Sequence, residues 1–242
     1  VEIKVSVVNN GAKPPNIAID NLIIEVTNAE TPILAGNAAD YAQALIDAGI
    51  VEQNADKVYF EPDKNYKFAN EEKGIEILAY PDDKFSLNVM VDYNSSVLGQ
   101  QYASLNNMDD YAKEIAPCKT FVFAKELAFL AQNNLIKGGS LDNALVIIDK
   151  DFPQEELDKL ADLVKRPRVN AKGQGILNAQ DLIFSNEPAR HKLLDLVGDL
   201  ALCGMPIKRV KRRTPRRHLL DFGDDATRMK SLLDGILQAR IE

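Results

Sequence analysis

The chain has 242 residues and a mass of 26.8 kDa, enough for one large or two modest domains, and its 45% hydrophobic and 27% charged residues exclude a disordered or fibrous protein. A formal net charge of -7 with a pI near 5.0 argues against nucleic-acid binding over the whole surface, and no apolar run approaches the roughly 18–20 residues that cross a bilayer. Two cysteines without a CxxC pair rule out a disulfide framework, and two histidines rule out a site of three imidazoles, so metal chemistry here has to recruit carboxylates. That cysteine usage makes a reducing, cytoplasmic setting the expectation, and an N-terminus without a basic segment followed by an apolar one reads as unexported.

Val1, Ile3, Val5 and Val7 alternate with Glu2, Lys4 and Ser6, the period of a half-buried strand. The string NNGAKPPN over 9–16 predicts a loop, and Leu22 to Val26 a second short strand. A turn over Thr31 to Gly36 leads to a helix over Ala38 to Ala48, closed by Gly49 as a left-handed cap. Tyr59 to Phe68, Gly74 to Tyr80 and Phe85 to Tyr93 alternate at period two between turns at Pro62, Asp63, Pro81 and Asp82, which predicts an antiparallel meander.

From Met108 the pattern changes. A helix near Met108 to Ile115, a second through Phe123 to Asn134, a stop at Gly138 and Gly139 and a strand over Ala144 to Ile148 read as a βαβ unit. Asp151 to Val164 predicts a helix with Glu155, Glu156 and Asp158 in its first half, where carboxylates favour the helix dipole. A polar loop over 166–181, a long helix over 186–203 and a last amphipathic helix over Asp224 to Gln238 complete the chain. The expected class is α+β, a layered sheet and helix sandwich. The cations Lys208, Arg209, Lys211, Arg212, Arg213, Arg216 and Arg217 crowd one stretch ahead of Asp221, Asp224 and Asp225; a solvated charged loop or an anion-binding patch both fit.

The long helix NEPARHKLLDLVGDLAL sets His191 and Asp195 four residues apart on one face, with Asp199 a turn further on. Leu194, Val197, Leu200 and Ala201 form the face expected to be buried. Imidazole nitrogen and carboxylate oxygen one turn apart can share a zinc ion. The same spacing also fits a plain surface pair worth a few tenths of a kcal/mol.

The string ARHKLLDLVGDLAL, with CKTFVFAKEL, LIKGGSLDNALVI, IDNLIIEV and ETPILAGNA, resembles UDP-3-O-acyl-N-acetylglucosamine deacetylase, the zinc hydrolase of lipid A biosynthesis, in the form fused to a 3-hydroxyacyl-carrier-protein dehydratase. The likeness runs from about Ile19 to Pro206, without the dehydratase half and without most of the family's first domain. It implies two α+β domains with the site between them: residues 1–55 as a remnant of the first and 56–242 as the second, with 121–148 its βαβ insert. It further implies zinc held by His191 and Asp195, Lys192 as the motif's adjacent lysine, and Asp199 as the acid paired with the catalytic histidine. Thr120 would stabilise the oxyanion, and Phe121 to Ile148, with Gly139 and Ser140, would hold the acyl chain of the substrate, UDP-3-O-acyl-N-acetylglucosamine. The product would pass to enzymes of the lipid A pathway, with no nucleic acid and no integral membrane segment involved.

Two stretches depart from the family. Its Thr-Val-Glu-His string, source of the general base and the first zinc histidine, meets KVSVVNNG here, so Asn9 and Asn10 stand in those places. Asparagine takes no proton at neutral pH and is a poor zinc ligand. Its closing Arg-Pro-Gly-His meets KRVKRRTPRRH, and counting from Pro206 brings His218 to the histidine that protonates the leaving amine. Two functions follow as expectations: an active zinc deacetylase, or a family member impaired in catalysis that retains ligand binding.

Overall fold

The structure is a computed structural model that describes residues 3–7, 19–27, 31–51, 54–56, 58–72, 74–82, 85–133, 140–163, 167–168, 170, 173–177, 182–202, 206–207 and 210–211. The NNGAKPPN loop, Gly138 and Gly139, and the helix expected over 224–238 lie outside the described residues.

Strands β1 (Ile3–Val7) and β2 (Leu22–Val26) pair antiparallel in register from Ile3 opposite Val26 to Val7 opposite Leu22, and all five residues of β2 are exposed. Helix α1 (Ala39–Asp47) begins where the Asn37 side-chain oxygen accepts the Ala39 N–H at 3.0 Å and ends before Gly49, left-handed at φ 80° as its sequence signal requires. β3 (Tyr66–Asn70) and β4 (Ile75–Pro81) form a hairpin.

The expected meander stops there. β5 (Leu87–Asp92) pairs with β6 (Gln100–Leu105) in a separate antiparallel sheet rather than with β4. The cause is local: the Ser95 hydroxyl accepts the N–H groups of Val97 and Leu98, Gly99 is left-handed at φ 55°, and Tyr93 N–H reaches Gly99 O at 3.0 Å, so the chain folds straight back. The polar QQYASL string concealed β6, and the strand expected from Tyr59 begins only at Tyr66.

The helix expected near Met108 opens as a 3-10 turn, Met108–Asp110, and continues as α2 (Tyr111–Glu114). β7 (Thr120–Phe123), α3 (Ala124–Gln132) and β8 (Ala144–Ile148) form the βαβ unit, with Thr120 opposite Ala144 in a parallel ladder. All five β8 residues are buried, as a parallel strand covered on both faces requires. After α4 (Gln154–Leu163), the expected polar loop carries a two-residue strand, β9 (Gly175–Ile176), antiparallel to β8. α5 (Glu187–Ala201) has Pro188 in its first turn, where a missing N–H costs nothing, and β10 (Val210–Lys211) returns to the free edge of β4. The class is α+β with open sheets and, among the described residues, no closed barrel.

One core unites these layers. Ile77 of β4, Leu87, Val89 and Val91 of β5, Ala103 and Leu105 of β6, Phe121 and Phe123 of β7, Leu145 and Ile147 of β8, and Ala189, Leu193 and Leu196 of α5 pack together. The opposite face of the β7–β8 pair, Val122, Val146 and Ile148, is covered by α3 through Ala124 and Leu127. The loop before α1 is stitched onto the segment before β7: Ala38 N–H to Ala116 O at 2.8 Å, Asn37 Nδ2 to Pro117 O at 3.1 Å and Thr120 N–H to Gly36 O at 2.8 Å.

Gly36 is left-handed at φ 70°, and a Cβ there would be driven into the Asn143 carbonyl. Gly36→Ala is therefore expected to cost about 2 kcal/mol or more, through strain and displacement of the 140–144 turn. A urea unfolding midpoint equal to wild type would contradict this.

Candidate metal centre

α5 lies across the β5–β6 hairpin, tied to it by Asn186 Nδ2 to Tyr102 O at 2.7 Å and Ala189 N–H to Gln101 Oε1 at 3.3 Å. Its most buried side chains are Glu187, Pro188, Ala189, His191, Leu193 and Leu196. This corrects the expected face: Leu194, Val197 and Leu200 are half-buried against the core and Ala201 is exposed. The core wraps more than one side of the helix, so His191 is itself buried, at 8% exposure, rather than standing on an open polar face.

His191 Nδ1 lies 2.9 Å from the Cys118 carbonyl. A carbonyl only accepts, so the ring proton sits on Nδ1 and the neutral ring presents a lone pair at Nε2. Burial lowers the His191 pKa, against the raising effects of the Asp195 charge and the Cys118 carbonyl, with Lys192 adding to the lowering. Nε2 faces Asp195 Oδ1 at 3.5 Å. Two acceptors aimed at one another call for a proton or a cation between them. Ligand bonds of 2.0–2.2 Å at a tetrahedral angle put two donor atoms about 3.4 Å apart. The pair thus has the bite of half a zinc shell.

Lys192 completes the electrostatics: its Nζ is 2.9 Å from Asp195 Oδ2 and 5.5 Å from the centroid of the Phe121 ring, with only 9% of its side chain exposed. This contact joins α5 to β7, so His191, Lys192, Asp195 and Phe121 converge. Phe121 meets Tyr93 edge-on at 5.4 Å. The Tyr93 hydroxyl is buried without a hydrogen-bond partner among the described residues, and burial, then the Asp195 charge, raises its pKa. Thr120 stands at the start of β7, its N–H committed to Gly36, which leaves the hydroxyl as that residue's remaining donor.

Ser140 lies in the turn before β8, where its N–H reaches Asn143 Oδ1 at 2.7 Å and its hydroxyl accepts from Asp142 N–H at 3.3 Å. Asp199 follows Asp195 by one turn of α5. Gly139, His218, Asn9 and Asn10 lie outside the described residues, as do all the side chains of the basic stretch. Among the described residues no third histidine, cysteine, aspartate or glutamate joins His191 and Asp195 in a metal-binding group. The two present suit a zinc ion by donor type and separation; a full shell needs a ligand from elsewhere.

Sequence reasoning passed over Glu187 and Arg190. Glu187 is fully buried, and Arg190 donates to Glu114 O at 2.9 Å and Asn186 Oδ1 at 3.0 Å with its guanidinium 4.0 Å over Phe184. The only available signal was that Glu187 precedes His191 by the same four residues that separate His191 from Asp195.

The family model described as UDP-3-O-acyl N-acetylglycosamine deacetylase matches residues 15–166 and 167–214. The bifunctional enzyme LpxC/FabZ of Chlorobaculum tepidum is 47% identical over 198 residues, 79% of this chain and 42% of that protein. Its namesake in Bacteroides thetaiotaomicron is 44% identical over 207 residues, 85% and 45% of the two chains. The UDP-3-O-acyl-N-acetylglucosamine deacetylase of Chlamydia pneumoniae is 37% identical over 190 residues, 78% and 58%. The chain spans about half the length of the curated relatives it matches.

Tyr93→Phe removes a hydroxyl that has no partner among the described residues, so it is expected to leave stability unchanged or raise it by about 1 kcal/mol. A loss beyond 1 kcal/mol in urea unfolding would contradict this. For His191 the sign follows from linkage. The unfolded chain takes up the proton near pH 6.5 and the folded chain only lower, so between those values the unfolded state binds more protons and stability is lost as the pH falls. In chelator-treated buffer, the stability gap between wild type and His191→Gln should narrow as pH drops below about 6.5. A gap that widens would reverse the assignment.

Proposed function

The chain belongs to the UDP-3-O-acyl N-acetylglycosamine deacetylase family, and from that premise we propose that it carries the zinc-holding part of an amide hydrolase. Its reaction removes the N-acetyl group of UDP-3-O-acyl-N-acetylglucosamine and releases acetate, a step of lipid A biosynthesis. The single observation supporting this reading is the 3.5 Å approach of two acceptors, His191 Nε2 and Asp195 Oδ1, on a helix locked into the core. Their counterparts in the family's motif are zinc ligands, and Asn10 stands where its remaining ligand falls.

Zinc bound there supplies Lewis acidity toward an amide carbonyl and toward water. The chain's own groups do the rest. His191 is held in one tautomer by the Cys118 carbonyl, so Nε2 stays available without a reorientation cost. Lys192 pairs with one Asp195 oxygen at 2.9 Å and sets a positive charge beside the apolar Phe121 face. The Thr120 hydroxyl donates to the negative oxygen that develops on the acetyl carbonyl. His218 protonates the departing amine, with Asp199 orienting it. Phe121, Gly139 and Ser140 belong to the passage for the acyl chain, within an insert of residues 121–148. The domain division at residues 1–55 and 56–242 belongs to the same reading, as does a cytoplasmic setting with the product consumed by later lipid A enzymes. Among the described residues no helix is long and apolar enough to cross a membrane.

Asn9 and Asn10 favour a second reading, in which the chain binds the sugar nucleotide without turning it over. Loss of a partner that merely orients a ligand costs 10–100-fold in metal affinity or activity, and loss of the ligand itself costs more. Zinc calorimetry alongside acetate release from the sugar nucleotide separates the two. Stoichiometric zinc binding with acetate release, both lost on chelation and weakened more than about 100-fold in Asp195→Ala, is expected for the deacetylase. Substrate binding without acetate would establish the second reading.

A further inference from the structure

One peptide unit, joining Cys118 to Lys119, is gripped at both of its polar ends by α5. Its carbonyl accepts from His191 Nδ1 at 2.9 Å, and its N–H donates to Glu187 Oε1 at 2.8 Å. Glu187 and His191 are four residues apart, so both project from one side of the helix and the peptide spans them like a rung. Glu187 Oε2 accepts from the Ile183 N–H at 2.7 Å. Both oxygens of a fully buried carboxylate therefore end on neutral backbone amides.

Burying a carboxylate against neutral donors is an expensive way to close a loop. What the charge adds is polarisation. A negative oxygen on the Lys119 N–H strengthens the peptide dipole, makes the Cys118 carbonyl a better acceptor, and so draws the Nδ1 proton and enriches Nε2. Metal-binding histidines commonly donate their second N–H to a carboxylate. Here the carboxylate stands one peptide further back.

We propose that Glu187 is a positioning residue for His191, acting through the 118–119 peptide: it fixes the ring in the Nδ1–H tautomer and strengthens Nε2 as a donor to a metal ion. The metal half rests on the zinc reading above; the tautomer half stands independently of it. Glutamine at 187 is nearly the same shape yet offers one acceptor and one NH2 group, so it leaves either the Lys119 or the Ile183 N–H facing another donor.

The test is 15N NMR of the imidazoles in the full chain, where two histidines give two sets of signals, together with titration by zinc alone. Wild type should hold His191 entirely as Nδ1–H with a downfield-shifted proton. Glu187→Gln should populate the Nε2–H form and bind zinc about 10–100-fold more weakly, and Glu187→Asp, which keeps the charge, should fall between. A folded Glu187→Gln with unchanged tautomer and unchanged zinc affinity would overturn the proposal and leave Glu187 as a loop tie. If Glu187→Gln does not fold, the wild-type spectrum decides, since an Nε2–H form there is incompatible with the clamp. Wild type that takes up no zinc would defeat the zinc reading, while the tautomer comparison would still decide the role of Glu187.

Discussion

The site depends on how residues 114–120 are held. This segment joins α2 to β7 and spends most of its backbone polar groups on other parts of the chain. Arg190 takes the Glu114 carbonyl, Ala38 N–H that of Ala116, Asn37 that of Pro117 and His191 that of Cys118, while Lys119 N–H goes to Glu187 and Thr120 N–H to Gly36. Each such bond contributes only about 1 kcal/mol net, yet a buried group left unmet costs about 1–3 kcal/mol. The set therefore forms or fails together, and it fixes the distance between α5 and the start of β7.

That fixed distance determines the electrostatics. A dry histidine, an aspartate at 39% side-chain exposure and a lysine at 9% share one turn of helix, so the charges lie where water enters on one side only. Asp195 is the shared partner: one oxygen meets Lys192 and the other faces His191. An ion inserted between Nε2 and Oδ1 would relieve an unfavourable meeting of two acceptors, and the Phe121 ring backs the lysine without competing for the carboxylate. The same apolar wall shields the buried lysine and histidine from solvent screening.

Much of this was legible in the chain because short-range chemistry carried it. Gly49 marks a helix end by a rule that needs no tertiary context, and the apolar run of β8 announced a strand of the βαβ unit. The His191–Asp195 spacing alone fitted a plain surface pair as well as a zinc site, and it was the strings around it that carried the family resemblance. The errors arose where the partner was distant or the pattern faint. β6 is polar enough to pass for a loop, and a Ser95 turn decided its pairing with β5. The buried face of α5 was misplaced because periodicity assigns one apolar face, whereas this helix is enclosed on several. Glu187 gave no sign of burial, since its partners are backbone amides rather than any side chain a motif could contain.

Cys118 supplies the carbonyl that holds His191, and its thiol is itself sealed in, donating to the Glu114 carbonyl at 3.5 Å with burial pushing its pKa up to about 12. A thiol in that state is inert to alkylating reagents unless the segment lifts away. An excursion that lifts the 114–120 segment releases the imidazole and uncovers the sulfur together. The protein carries its own gauge of how often this corner of the fold breathes, read as the rate at which one cysteine becomes reactive.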